Sequence, residues 1–192
     1  MRGGSVSTTG NLLVGNLGSG EFVQGGGLVP IGDFPWIGPN AGGTGVYKMT
    51  GGTLSTPKRP LSVGRYGTGT LDVSGSAVVT ASNGIRVGYT DNSGTGNGTL
   101  VVTNGGTIVT TSIYGGGNTA AQAKVLFNNA TVNLSSAPTG KFTLAEATGT
   151  GTFVGVPNLT CSGGLNGYEP VLSNDGKKIE IKKRTGVKFL VF

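Results

Sequence analysis

The run from Leu61 to Gly75, Leu-Ser-Val-Gly-Arg-Tyr-Gly-Thr-Gly-Thr-Leu-Asp-Val-Ser-Gly, decides the fold. An aliphatic residue followed by glycine (Val63-Gly64) leads to Gly67-Thr68-Gly69. Apolar Leu71 and Val73 then alternate with polar Thr70, Asp72 and Ser74. Such alternation places the apolar side chains on one face of a strand. A strand this short cannot bury its face alone, so copies of the unit must stack.

The copies are present on both sides. Aliphatic–glycine corners recur at Val14-Gly15, Ile37-Gly38, Val63-Gly64 and Val87-Gly88, with a weaker member at Ile113-Tyr114-Gly115. A second column, Gly18-Ser19-Gly20, Gly43-Thr44-Gly45, Gly67-Thr68-Gly69 and Gly96-Asn97-Gly98, introduces short strands. These strands carry Phe22-Val23, Tyr47 to Met49, Leu71 to Val73 and Leu100 to Val102, with Val125 to Phe127 in a fifth unit. A small polar turn follows each, from Gln24-Gly25-Gly26 in the first unit to Asn128-Asn129-Ala130 in the fifth. Three residues past its centre stand Leu28, Leu54, Val78, Ile108 and Val132, expected to face inward.

These columns predict an all-β chain, a parallel β-helix (β-solenoid) of about five to seven coils, with a C-terminal β-hairpin or strand cap. Three segments are expected: an N-terminal tail or cap over 1–11, glycine-rich repeats over 12–135, and degenerate coils with the cap over 136–192. Asn174-Asp175-Gly176 is the turn expected between Val171-Leu172 and Ile179-Glu180-Ile181. Residues 89–97 lengthen one corner, and 30–35 and 57–60 interrupt two others.

Composition narrows the alternatives. Glycine supplies 39 of 192 residues, yet hydrophobic residues at 35% and charged ones at 11% argue against disorder, and no three-residue glycine period marks a collagen. The net charge is +6, but Lys177, Lys178, Lys182, Lys183, Arg184 and Lys188 concentrate it near the end, so nucleic-acid binding is not expected. Cys161 is the only cysteine, which rules out a disulfide within the chain. No apolar run approaches the roughly 20 residues of a membrane helix. Met1 to Ser5 lacks the apolar stretch of a signal peptide, so the expectation is a mature portion of an exported protein or a cytoplasmic polymer.

At these columns the chain resembles the glycine-rich repeat of bacterial autotransporter (type V secretion) passengers and PEP-CTERM-associated surface proteins. The residues that carry the resemblance are Leu61 to Gly75, restated by Ile85 to Gly88 and Gly98 to Gly106. It covers roughly residues 12–135 and implies a right-handed β-helix exported to the cell surface. The chain shows neither the Pro-Glu-Pro sorting tail of one group nor the membrane-barrel domain of the other.

The catalytic inventory is thin. There is no histidine, which removes Ser-His-Asp and Cys-His chemistry and the commonest metal ligand. No cofactor or metal is expected, and Asp91-Asn92-Ser93-Gly94 offers calcium too few ligands. Only eight acids exist, and none of them pair in one column of adjacent coils as a glycosidase needs. Asp72 with Arg65 and Arg86 is the best constellation, read as a surface ion pair. Threonines at 68/70, 110/111 and 148/150 do not recur at one phase, which argues against an ice-binding rank.

Two sets of residues are candidates for contact. Phe34, Trp36, Tyr66, Tyr89 and Tyr114 sit near unit corners, where exposed rings could stack on sugars or on another protein. Val187, Phe189, Leu190, Val191 and Phe192 form an adhesive strand suited to self-assembly. The expectation is a non-catalytic bacterial surface module (stalk, adhesin or fibre subunit) that contacts itself or other surface proteins. A carbohydrate-binding or ice-binding solenoid is the alternative, with polysaccharide as partner. A polysaccharide-degrading β-helix enzyme ranks below both.

Overall fold

The computed structural model describes residues 1–90, 94–115, 122–128, 130–134, 142–147, 152–154, 159–163, 168–172, 174 and 178–184. Every regular element in it is a strand. The first coil is β1 (Leu12–Val14), β2 (Ser19–Gln24) and β3 (Leu28–Pro30). The second is β4 (Pro35–Ile37), β5 (Thr44–Met49) and β6 (Thr53–Thr56). The third is β7 (Leu61–Val63), β8 (Thr68–Val73) and β9 (Val78–Ala81), and the fourth is β10 (Ile85–Val87), β11 (Asn97–Thr103) and β12 (Thr107–Thr110). The same succession continues through β13 (Ile113–Gly115), β14 (Gln122–Asn128), β15 (Ala130–Leu134), β16 (Phe142–Ala147), β17 (Thr152–Val154) and β18 (Leu159–Gly163). About four turns are thus described almost without a break, slightly fewer than the five to seven coils expected.

Three parallel sheets result, each built from every third strand. The first sheet runs β1-β4-β7-β10-β13-β16, the second β2-β5-β8-β11-β14-β17, and the third β3-β6-β9-β12-β15-β18. Registers are unbroken where the columns predicted them: Tyr47 lies on Leu71, Leu71 on Leu100 and Leu100 on Val125. The interior is filled by Ile37, Val63 and Val87 from the first sheet, Leu71 and Leu100 from the second, and Leu54, Val79 and Ile108 from the third. Burying each such side chain is worth roughly 1.5–3 kcal/mol.

Glycine is required where coils touch backbone to backbone. Gly64 has φ of +70°, and a Cβ there would overlap the Asn97 carbonyl of the next coil. Gly69, its neighbour across the corner, would drive a Cβ into the Gly64 amide nitrogen and the Ile37 carbonyl. The two glycine columns seen in sequence are therefore the two sides of one tight corner.

Both ends of the stack are partly covered. At the first coil, Ser5 and Thr8 bridge in parallel to Leu28 and Ile31, and the Gly25 amide donates to the Met1 carbonyl at 2.7 Å. At the other end, β19 (Tyr168–Leu172) and β20 (Lys178–Lys183) form the expected antiparallel hairpin, and β20 lies antiparallel on β16.

Three expected alignments are corrected. Leu28 and Val78 face outward, both in register with Thr53, while Val29 and Val79 fill the interior beside Leu54. The turns preceding them hold one residue more than the count assumed, and a one-residue slip reverses the face of a strand. Gly115 is not a corner glycine of the first column: it lies in register with Val87, and Ile113 with Ile85. Gln24, placed in a turn by sequence, ends β2 fully buried, in register with Met49.

Candidate functional site

One register column of the first sheet runs across successive rungs through Leu13, Trp36, the buried Ser62, Arg86 and Tyr114, with Glu146 next in register on β16. The sharp corner after each strand adds a second set at its side. Arg65 and Tyr66 follow Gly64, and Tyr89 follows Gly88. The corner before the strands contributes Phe34 and Arg59.

These groups are stacked on one another. The Arg65 guanidinium stands 5.1 Å from the Trp36 ring centroid and 4.7 Å from that of Tyr66, bridging two coils. Arg86 stands 4.7 Å from the Tyr89 ring, and Arg59 4.6 Å from Phe34. Phe34 and Trp36 lie 4.6 Å apart. Asp33 accepts a hydrogen bond from Arg59 Nε at 3.1 Å. Each arginine–ring contact at such exposure contributes about 0.5–1 kcal/mol. Their larger effect is to hold long side chains flat against the sheet, where the loss of rotamer freedom is already met before any ligand arrives.

Of the five rings singled out in sequence, Phe34, Trp36, Tyr66 and Tyr89 are half-buried under or beside arginines, and Tyr114 is 47% exposed. The structure therefore gathers all five onto one side of the solenoid. What sequence reasoning missed was that Arg65 and Arg86 stack on these rings. Asp72 does not assemble with Arg65 and Arg86: it stands on β8 in the second sheet, in register with Lys48 and Val101, whereas Arg86 belongs to the first sheet. The available signal was an arginine next to or near a corner ring, as in Arg65-Tyr66 and Arg86 with Tyr89.

The second sheet presents a different surface. Thr68 is in register with Thr44 and Asn97, and Thr70 with Val46 and Thr99, so threonines share a column over two adjacent rungs only. Thr110 instead turns inward and is buried, its hydroxyl donating to the Ala81 carbonyl at 2.9 Å. Residues 148 and 150 lie outside the described residues. Lys48 and Glu21 pair at 2.6 Å, and this hydrogen bond with its charge raises the ammonium pKa. Both side chains are half-exposed, so the pair adds little stability.

Inside the first two coils, the Tyr47 hydroxyl donates to Gln24 Oε1 at 2.8 Å, and Gln24 Nε2 donates to the carbonyls of Gly27 and Thr53. Burial pushes the Tyr47 phenol above its usual range. Every polar atom of that pair is engaged in structure, so it serves packing. Thr56 Oγ1 is buried with no hydrogen-bond partner among the described residues.

Compared with protein-family models, curated proteins and solved structures, the chain matches none. Its own geometry carries the reading. One surface cleft, about 530 Å³, is lined by residues such as Ser7, Thr9, Pro30, Pro57 and Lys58, with no carboxylate among the described residues of its wall. Among the described residues no group of three or more histidines, cysteines or acids stands together as a metal site. No helix among them is long and apolar enough to cross a membrane. The candidate assembly strand, 187–192, and the Asp91-Asn92-Ser93 turn lie outside the described residues.

Proposed function

We propose that this chain is a structural, non-catalytic module of a bacterial surface, a stiff solenoid that spaces or presents other elements. The observation that supports this best is the filled, in-register interior, in which Leu71 lies between Tyr47 and Leu100 and Val73 between Met49 and Val102. A stack of this kind resists bending because each coil is held to the next by three sheets at once. Exposed large hydrophobics favour contact near one end: Val6, Leu13, Leu17, Val23 and Leu28 all belong to the first coil and its cap. The occupants expected there are a second copy or another surface protein, with the 187–192 strand as a further means of self-association.

Electron microscopy of the purified chain across a range of concentrations tests the structural role. Isolated or end-joined rods are expected, and rounded particles without a long axis would overturn it. Incubation with a panel of neutral and acidic polysaccharides tests the non-catalytic part. Release of new reducing ends or unsaturated sugars would overturn that claim.

The second reading, a carbohydrate-binding solenoid, is favoured by one observation, the arginine–ring strip of the first sheet.

A further inference from the structure

We propose that Asn104 and Gly105 form a self-modifying site, at which the chain converts this asparagine to aspartate and isoaspartate through a cyclic imide, with water as the co-reactant. The inference is independent of what the solenoid carries or binds.

The site is the polar turn between β11 and β12 of the fourth coil. Asn104 occupies the place that Gly75 holds one coil earlier, since Val102 lies in register with Val73, and Thr103 and Ser74 follow them. Both backbones are left-handed, with φ of +50° at Asn104 and +60° at Gly75. Asn104 is the one non-glycine residue in that region among the described residues, and asparagine is a side chain that tolerates it. Asn104 and Gly105 are both exposed. The turn is closed by the Gly106 amide, which donates to the Thr103 carbonyl at 2.9 Å. Thr107 Oγ1 donates to the Gly105 carbonyl at 3.5 Å and leaves the Gly105 amide untouched. That amide finds no acceptor among the described residues and is left to solvent.

A free glycine amide beside an exposed asparagine suits intramolecular attack. The Gly105 nitrogen, once it gives its proton to base, adds to Asn104 Cγ. A C–N bond forms there, and the side-chain nitrogen leaves as ammonia. Water then opens the imide at either carbonyl, giving aspartate or the β-linked isoaspartate. The net change is asparagine plus water to acid plus ammonia, with nothing oxidised or reduced. Glycine suits the nucleophile because no Cβ stands beside its nitrogen, and adjacency in the chain makes the step unimolecular.

Two other Asn-Gly pairs are described, and each holds its glycine amide back. Gly84 is buried and its amide donates to the Ala81 carbonyl at 3.2 Å, while Asn83 Nδ2 donates to the Pro57 carbonyl at 3.3 Å. Gly98 is buried within β11, whose ladders to β8 and β14 run on both sides of it. Attack at either pair first needs a hydrogen bond opened. Asn166-Gly167 lies outside the described residues.

Peptide mapping by mass spectrometry tests this on the folded full chain, incubated in mildly alkaline buffer made with heavy-oxygen water. Asn104 should become an acid carrying solvent oxygen, with isoaspartate in excess of aspartate. It should do so at least about tenfold faster than Asn83 or Asn97, the factor that opening one hydrogen bond imposes. The rate should rise with pH, because only the deprotonated amide attacks. In urea the rates at Asn83, Asn97 and Asn104 should converge, since the fold no longer distinguishes them. Asn104→Gln should leave the position unconverted, and if that variant fails to fold, the time course of the unaltered chain still decides. Conversion at Asn104 no faster than at Asn83 and Asn97 would overturn the site, as would the same ranking in urea. Aspartate without isoaspartate would overturn the cyclic route.

Discussion

The two faces of the same strands obey different rules. Inside, each coil places a like residue on its neighbour: Leu71 meets Leu100, Val73 meets Val102, and Leu54 meets Val79 and then Ile108. Outside, on the first sheet, the column passes from Leu13 to Trp36, Ser62, Arg86 and Tyr114 without repeating a residue type. Interior repetition follows from geometry, since every coil must fill the same cross-section at close packing. Exterior variety is not demanded by packing, which makes that face the place where specific chemistry can be written.

The sharpest way to break the interior rule is at its corner. Gly64→Ala combines a left-handed backbone with overlap against the Asn97 carbonyl, and should cost roughly 3–5 kcal/mol in denaturant unfolding. Gly42→Ala has φ of +79° but open space around it, so it should cost only about 1–2 kcal/mol. Equal losses at the two sites would mean that corner contact between coils contributes nothing.

The next contrast compares neighbours on β8. Leu71→Ala removes a fully buried side chain and should lower stability by about 2–5 kcal/mol. Thr70→Ala, one residue away on the outer face, should stay within about 0.5 kcal/mol. A large loss at Thr70 would show that the outer threonine column holds the sheet together.

The smallest effect has the opposite sign. Thr56→Val replaces a buried hydroxyl that has no partner among the described residues with a methyl group of similar shape. Thermal unfolding should show a gain of about 1 kcal/mol. A loss would place an ordered water on that hydroxyl.

Sequence exposed the fold because the corners admit so little choice. Glycine at 15, 38, 64 and 88 marks every first corner, and alternation after Gly-Thr-Gly fixes which residues turn inward. Turn length was less legible. Gly25-Gly26-Gly27 gives no side chain by which to count, and the third unit carries an extra residue before Val79, so Leu28 and Val78 were assigned to the wrong face. The strip was half visible. Its rings could be picked out by type, but Arg65 reaches Trp36 across two coils, and only the register between those coils brings the two together. Asp72 looked like the natural partner of Arg65 because it is near in sequence, yet the intervening corner turns it onto another sheet.

The cross-coil bonds have a consequence for how the chain reaches this shape. The side-chain links between coils join residues only 23 to 29 positions apart, as in Tyr47 to Gln24 and Thr110 to Ala81. Each coil therefore finds its template in the segment made just before it, without waiting for the distant end. A chain emerging gradually from a ribosome or through a narrow channel can add coils one at a time, each closing on a surface already formed. The antiparallel hairpin on β16 is made after the coils it covers, and its strands depart from the parallel order of that sheet.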